Sequence, residues 1–198
     1  MVILDADIAS TLAKVDKVSL IEELFGPQIF ISEAVYKELL AIKQAGYDFP
    51  NRVFQKARVL SLSSEKEFKD FEKFIENRQI HYGEAESMSL AKNRNNIFLT
   101  NDTVALKYAQ SKNIKVLNLK DILIKVATSS LLSKEEMENL IKNIEEKDNT
   151  YIKWKDELFD LYKEEAIKNA QKVIQEWIET AKELGREIPA PKGGLAYA

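Results

Sequence analysis

The sequence has no cysteine, a single histidine and no long uninterrupted apolar run. The lack of cysteine excludes disulfides and thiolate metal sites, and it fits a reducing compartment. No apolar run approaches the length of a membrane span, and Asp5 interrupts the apolar start of the chain where a secretory signal would need its hydrophobic region. These absences predict a soluble cytoplasmic protein that does not associate with a membrane.

The charge of the chain is high but balanced. Charged residues make up 31% of the sequence, the two signs are interspersed, and the net charge is only −3. This pattern gives no global electrostatic signature of nucleic-acid binding, so such a partner would have to be bound locally. The 198 residues, of which 45% are hydrophobic, suffice for one domain of ordinary size and an appendage.

Apolar runs and helical patterns alternate along the first three quarters of the chain. Strands are predicted at residues 2–4, 28–31, 58–62, 97–100 and 115–118. Helices are predicted at residues 8–14, 18–25, 33–45, 64–78, 84–92, 102–111, 119–127 and 133–147. Residues 47–51, around Pro50, are predicted to form a loop. The alternation indicates an α/β fold, a Rossmann-like parallel sheet with helices on both faces.

Four acidic residues lie where strands end or helices begin. Asp5 ends the first strand, Glu38 lies one turn into the helix after the second strand, Glu84 opens a helix, and Asp102 follows the strand at 97–100. Parallel strands bring their carboxyl ends to one crevice, so these acids are candidates for one site. Other interpretations stay open: Asp5 or Asp7 as the cap of the first helix, Asp102 as the cap of its own helix, Glu84 as a first-turn acid, and Glu38 as a solvated charge.

A cluster of carboxylates in a chain without cysteine indicates a metal ion. Like charges repel unless a cation lies between them, and oxygen ligands favour a hard ion, so we expect Mg²⁺ or Mn²⁺. Asp5, Glu84 and Asp102 are the predicted ligands. Such a site suits phosphodiester hydrolysis, because bound ions activate water and stabilise the leaving oxygen. Four further residues are predicted to support metal, water or phosphate: Asp7, Glu86, Thr100 and Asn101.

The remaining polar residues give weaker signals. His81, just before Gly83 and Glu84, is interpreted as a loop or packing residue rather than a ligand or a base. Tyr82 could stack on a nucleobase, although packing is the more ordinary role. Basic residues are scattered evenly enough to be read as solvated surface.

Four segments together resemble the successive motifs of PIN-domain proteins. They are Val-Ile-Leu-Asp at 2–5, the run at 31–39, Gly-Glu-Ala-Glu-Ser-Met-Ser-Leu-Ala at 83–91, and Phe-Leu-Thr-Asn-Asp at 98–102. The resemblance covers residues 1 to about 152 and is nearest the branch with Gly-Glu-Ala-Glu as third motif. It implies a PIN-like fold and a Mg²⁺- or Mn²⁺-dependent ribonuclease of the VapC toxin type, which acts on RNA and can have an antitoxin partner. The implied catalytic residues are Asp5, Glu38, Glu84 and Asp102.

The last quarter of the chain, residues 151–198, differs from the PIN-like domain predicted at 1–150. Apolar residues recur there at steps of three and four from Trp154 to Leu184, which predicts a long amphipathic helix. Residues 169–181 and 185–193 resemble the end of HicB-type antitoxins, covering only that family's helix and last segment. The helix is expected either to pack on its own domain or to form a surface for a homo-oligomer or another partner.

The tail also suggests regulation. It is expected to mediate self-association or to fold back and inhibit the site, with Arg186 or Lys192 near the acids. A rival to the enzyme interpretation is a non-catalytic regulatory or interaction protein of a toxin-antitoxin system, whose carboxylates bind metal poorly or not at all.

Overall fold

A computed structural model of the protein describes residues 1–184 and 186. Its five strands are β1 (Val2–Leu4), β2 (Ile29–Ser32), β3 (Arg58–Leu60), β4 (Ile97–Leu99) and β5 (Val116–Leu117). Its helices are α1 (Ala6–Lys14), α2 (Ser19–Phe25), α3 (Glu33–Gln44), α4 (Pro50–Lys56), α5 (Glu65–Ile75), α6 (Tyr82–Asn93), α7 (Thr103–Ser111), α8 (Leu119–Thr128), α9 (Lys134–Lys147) and α10 (Lys155–Glu183).

The strands form one parallel sheet in the order β3-β2-β1-β4-β5. Strand β1 lies at the centre, where Leu4 is level with Ile31 of β2 on one side and with Leu99 of β4 on the other. Along the sequence, β2 and β3 are added on one side of β1, and β4 and β5 are then added on its other side. The predicted α/β architecture, a parallel sheet flanked by helices with a long helix at the C-terminal end, is confirmed.

The central strand has no polar side chain because both of its faces are covered. Val2 and Leu4 belong to one buried cluster, whereas Ile3 belongs to the cluster on the opposite face. Side chains alternate between the two faces of a strand, so a short run with every residue buried is what a doubly covered parallel sheet requires. The acid that follows this run is the first polar side chain at the edge of the sheet.

Helix α4 is the main difference from the sequence prediction. The predicted loop at residues 47–51 is wrong from Pro50 onward, because Pro50 starts a helix that continues to Lys56. Proline is well suited to the first turn of a helix, where its missing N–H would have no partner. Val53 of this helix is fully buried in the main core, so α4 is part of the domain.

Helix α10 has an anchored part and an exposed part. Leu158, in its first turns, is fully buried in the same cluster as β1, and Phe159, Leu161 and Tyr162 pack against that cluster. Tyr162 also donates a hydrogen bond to the Leu132 carbonyl, at 3.1 Å. Further along, the side chains of Ile167, Val173, Ile174, Trp177 and Leu184 are exposed.

None of the helices in the described part of the chain has the length and apolarity needed to cross a membrane. Of the proposed HicB-like segment at 185–193, only Arg186 is among the described residues, and Lys192 lies outside them.

Candidate active site: an acidic cavity at the edge of the sheet

The four predicted acids line one cavity. Its volume is about 350 Å³, and its lining residues are Asp5, Ala6, Asp7, Glu38, His81, Glu84 and Asp102. The cavity thus brings together residues that are up to 97 positions apart in the sequence, from Asp5 to Asp102. Asp7 and His81 join the four acids, whereas Glu86, Thr100 and Asn101 are not among the lining residues.

The sheet topology explains this convergence. Strands β1 and β4 are adjacent and parallel, so the residues that follow them, Asp5 and Thr100 to Asp102, leave the sheet at the same edge. The backbone N–H of Asp5 donates to the Leu99 carbonyl at 2.8 Å, which continues the strand pairing up to the site. Open parallel sheets bind ligands at such a topological switch point, where successive strands change from one side of the first strand to the other. Helices α3 and α6 add Glu38 and Glu84 from one side.

Asp5 is held by two hydrogen bonds. It caps α1 by accepting from the backbone N–H of Ala6 at 2.9 Å, and its other carboxylate oxygen accepts from the Thr100 hydroxyl at 2.9 Å. Thr100 is fully buried and also accepts from the backbone N–H of Asp102 at 3.2 Å. Thr100 therefore supports the site from behind the cavity wall, since it connects the two acids that end β1 and follow β4.

Asp102 and Asp7 are each fixed by backbone amides. Asp102 caps α7, with one carboxylate oxygen accepting from the N–H groups of Val104 and Ala105, each at 2.7 Å. Asp7 accepts from the N–H of Asn101 at 3.0 Å. Asp102 is thus both a helix cap and a cavity residue, so the two interpretations of this acid do not exclude each other. Asn101 contributes its backbone rather than its side-chain amide.

Glu84 and Glu38 face the cavity from neighbouring helices. Glu84 accepts from the backbone N–H of His81 at 2.7 Å, which closes the first turn of α6. Glu38 Oε1 lies over Gly83, only 2.9 Å from the position that a Cβ atom on Gly83 would occupy. The glycine therefore leaves the space that the Glu38 carboxylate fills. Its place directly before Glu84 was visible in the sequence, but this steric role was not.

Crowding and burial raise the pKa of most of these acids. Burial, then the charges of Asp7 and Glu84, raise the pKa of Asp5 from 3.8 to about 8, against the lowering effect of the Thr100 and Ala6 hydrogen bonds. Burial, followed by the charge of Asp102, raises the pKa of Asp7 and of Glu84. Burial also raises the pKa of Glu38, which the charge of His81 partly offsets. The cavity therefore makes these carboxyls resist ionisation.

Glu86 has a different place from that proposed for it. Its side chain is buried and accepts from the backbone N–H of Ala34, at the start of α3, at 2.7 Å. The adjacent Ser87 donates to Ser32 at 3.0 Å. These bonds join α6 to the start of α3, the helix that carries Glu38. Glu86 thus holds the two acid-bearing helices together without facing the cavity.

A second and larger cavity, of about 660 Å³, lies at the other end of α1 and is lined by Lys14, Ile42, Tyr47, Asp48, Phe49, Arg52 and Lys147. Two of its cations already have partners. Lys14 pairs with Asp148 at 2.6 Å, and Arg52 donates to the Ala13 carbonyl at 2.6 Å and pairs with Asp16 at 3.2 Å. Its charges are largely satisfied within the protein, so the smaller acidic cavity is the stronger candidate for chemistry.

The donor set of the acidic cavity fits a hard divalent ion. All five acids present carboxylate oxygens, and none of them forms an ion pair with a lysine or arginine among residues 1–184 and 186. As the side chains stand, however, no three acids or histidines in that part of the chain are close enough to bind one ion. Binding of one ion by three of these acids would therefore require their side chains to move closer together.

Comparison with known proteins gives one family and several similar solved structures, including two VapBC structures. The DUF3368 model, described as a PIN domain, matches residues 1–161. VapBC2 from Rickettsia felis, solved bound to a DNA fragment from its promoter, is 18% identical with a TM-score of 0.45, and the match covers 60% of this chain and 98% of that one. VapBC-1 from nontypeable Haemophilus influenzae is 15% identical with a TM-score of 0.45 and the same coverage. No curated protein matches the sequence.

Proposed function

The chain belongs to the PIN-domain family DUF3368, and from this premise we propose that it is a metal-dependent endoribonuclease of the VapC toxin type. The proposed substrate is RNA, and the proposed reaction is hydrolysis of a phosphodiester bond in the acidic cavity. An antitoxin partner is part of the same proposal. So are the division of the chain into a nuclease domain at 1–150 and an appendage at 151–198, and the likeness of that appendage to HicB.

The observation that carries the proposal is the convergence of five carboxylates on one cavity whose lining, within residues 1–184 and 186, contains no lysine or arginine. Helix capping accounts for Asp5, Glu84 and Asp102 one by one, but it does not explain why Glu38 meets them in one cavity. Uncompensated charges of one sign cost stability, and proteins usually retain them where a cation or a reaction uses them.

The proposed roles follow from the positions of the side chains. Asp5, Glu84 and Asp102 would hold Mg²⁺ or Mn²⁺. The bound ion would lower the pKa of a water molecule and stabilise charge on the phosphate. Asp5 is oriented for this task by Thr100, and Asp102 by the amides of α7. Glu38, whose pKa is raised by burial, would accept a proton at its carboxylate from the attacking water.

Two residues near the cavity suit contact with RNA. Tyr82 is 59% exposed and stacks edge-on against Phe71, with ring centroids 4.9 Å apart, so its ring is held while a surface stays open. Aromatic rings of this kind bind unpaired bases by stacking. His81 lines the cavity next to it, and a ring N–H of its imidazole would donate a hydrogen bond to a phosphate oxygen.

A metal titration tests the proposal. Thermal shift and calorimetry with Mn²⁺ and Mg²⁺ should show binding to the parent protein that is lost in Asp5→Asn and in Asp102→Asn. Asparagine caps helices as well as aspartate does, so both variants keep α1 and α7 capped while removing a charge. Glu72→Gln, which neutralises an exposed acid on α5, serves as the control and should bind like the parent.

An RNA cleavage assay completes the test. The parent should cut a panel of structured RNAs in the presence of Mn²⁺, and both site variants should be at least 100-fold slower. If the parent binds no divalent ion and cuts no RNA, the proposal fails, and the interpretation as a non-catalytic regulatory or interaction protein takes its place.

A further inference from the structure

The second part of α10, residues 167–184, carries an apolar face that no other part of the chain covers among the residues that the structure describes. Ile167, Val173, Ile174, Trp177 and Leu184 are between 46% and 63% exposed. At 1.5 Å per residue, this part of the chain extends about 27 Å beyond the anchored turns. An exposed apolar strip of this size on a soluble protein marks an interaction surface.

The strip has the spacing of a helix-pairing seam. Ile167, Ala170, Ile174, Trp177 and Leu184 follow steps of three, four, three and seven residues, which keeps them on one side of the helix. The opposite side of the helix carries most of the charge: Lys168, Lys172, Glu176, Glu179 and Glu183. A helix with one apolar and one charged side is built to bury the first against another helix.

The helical state of this part also needs a partner. Val173, Ile174 and Ile178 are β-branched and Trp177 is aromatic, so intrinsic helix propensity is modest just where the strip is exposed. Isolated helices of about this length are marginal in water, and most helical stability in proteins comes from packing of the apolar side. The exposed turns of α10 therefore gain their stability by being covered.

We propose that residues 167–184 of α10 pair with the same residues of a second copy of this chain, in antiparallel orientation. In this register residue numbers that add up to 351 lie opposite each other. Ile167 then faces Leu184 of the second copy, and Ile174 faces its Trp177, so the large apolar residues named above meet apolar residues. The pairing would bury roughly 1,000 Å² over the two copies, which reaches the size of a specific interface.

The position of the globular bodies selects this orientation. Leu158 anchors the first turns of α10 in the core, so each globular body lies at the start of its own helix. Antiparallel pairing places the two globular bodies at opposite ends of the helix pair, whereas parallel pairing would crowd both at the same end. The charged residues on the opposite side of the helix stay in solvent in either orientation.

Light scattering after size exclusion tests the self-association on the full chain. The parent should elute with the mass of two chains, and Trp177→Glu should raise the dimer dissociation constant more than about 100-fold, because each dimer contains this residue twice. Asn169→Glu adds the same charge on the opposite, exposed side of the helix and should remain a dimer. A monomeric parent, a dimeric Trp177→Glu variant or a monomeric Asn169→Glu variant would each overturn the proposal. A monomeric parent would overturn it even if a different protein were found to cover the strip.

The absence of native cysteine allows the orientation to be measured directly. Ile167→Cys and Leu184→Cys should form a disulfide when the two variants are mixed and allowed to exchange subunits. Neither variant alone should cross-link through the helix pair, because antiparallel pairing keeps the two 184 positions about 25 Å apart. Disulfide-linked dimers of Leu184→Cys alone, with no disulfide between the two different variants in the mixture, would show parallel pairing and reject the antiparallel register.

Discussion

Asp5 shows how a single side chain can weaken a fold at the point where the fold is most ordered. Its carboxyl is only 6% exposed and lies beside other acids, yet it follows the central strand and caps α1. The two hydrogen bonds that hold it do not offset burial, which raises its pKa to about 8. Asp5 therefore either keeps a proton that the unfolded chain would release at neutral pH or, at higher pH, buries a negative charge among other acids, and both cost stability.

Replacing the Asp5 carboxyl by an amide should therefore stabilise the folded protein at high pH but not at low pH. Because its folded pKa lies above the unfolded value of 3.8, its contribution to stability is complete below pH 4 and is lost as the pH rises to about 8. We expect Asp5→Asn to raise the melting temperature in EDTA by several degrees at pH 8 and to change it little at pH 4. Glu72→Gln should change neither value, and an equal gain for Asp5→Asn at both pH values would contradict the explanation.

Gly83 should separate activity from stability. A Cβ at this position would lie 2.9 Å from Glu38 Oε1, so Gly83→Ala should displace that carboxylate, while Val35 is at the near limit of ordinary contact, 3.4 Å. Alanine is also a better helix former than glycine by about 1 kcal/mol. We expect an unchanged or higher melting temperature together with at least tenfold slower RNA cleavage. Ser89→Ala, on the same helix and outside the cavity, is not a suitable control because its hydroxyl donates to Glu67.

A better control for Gly83→Ala is Glu38→Gln, which leaves the glycine in place and removes the displaced charge. If the glycine acts through Glu38, the double variant should be no slower than Glu38→Gln alone. If the loss of activity in the double variant equals the sum of the losses in the two single variants, Gly83 acts through another residue.

At the scale of elements, α5 and α6 are joined by buried ion pairs rather than by apolar packing alone. Glu67 accepts from the backbone N–H groups of Ser63 and Ser64 and pairs with Arg94 at 2.7 Å. Asp70 pairs in the same way with Lys92, also at 2.7 Å. The Arg94 hydrogen bond lowers the pKa of Glu67 to about 2, with the serine amides adding to the effect. These contacts hold α6, and hence Glu84, against the domain.

Glu67→Gln should accordingly destabilise the protein at neutral pH. The folded pKa of Glu67 is below the unfolded value of 4.5, so its contribution is present above pH 4.5 and is lost as the pH falls to about 2. We expect a loss of about 2–3 kcal/mol at pH 7 in urea unfolding and a smaller loss at pH 3. Glu72→Gln on the exposed side of the same helix should cost less than about 0.5 kcal/mol.

The sequence predicted elements better than it predicted the direction of side chains. Strand ends and helix starts located Asp5, Glu84 and Asp102, because apolar runs that stop at an acid define the edge of a parallel sheet. Glu86 was assigned to the same site by proximity. Two residues along a helix correspond to a turn of about 200°, so Glu84 and Glu86 point to nearly opposite sides.

Other features had no local signal in the sequence. The pairing of Glu67 with Arg94 joins residues 27 positions apart and becomes visible only when α5 and α6 meet. His81 was interpreted as a loop or packing residue, but it lines the cavity. Helix α4 was missed because Pro50 was taken as part of a loop, although proline also starts helices.

At the scale of the whole molecule, the anchored turns of α10 belong to the domain core. Ile152 and Leu158 are buried in the same cluster as Val2 and Leu4. The proposed division near residue 150 therefore marks a change in sequence character, and the first turns of α10 after it still pack against the domain core. A functional test of the exposed part of α10 therefore has to leave the anchored turns in place.

Two truncations should show this division. A chain that ends after Lys163 keeps Leu158 and should retain the melting temperature within a few degrees and bind Mn²⁺ like the parent, but as a monomer. A chain that ends after Asn149 loses two buried apolar side chains and should be less stable by about 4 kcal/mol or more. Urea unfolding and light scattering measure both effects, and equal stability of the two chains would contradict the packing described for α10.

The order in which the strands pair also sets when the molecule becomes complete during its synthesis. Strand β1 leaves the ribosome first, but its second neighbour, β4, begins at Ile97, and the last cavity acid is Asp102. At ordinary translation rates roughly 5–20 s pass between the two events. A nascent chain that ends before Asp102 is therefore inert, because its cavity still lacks one wall.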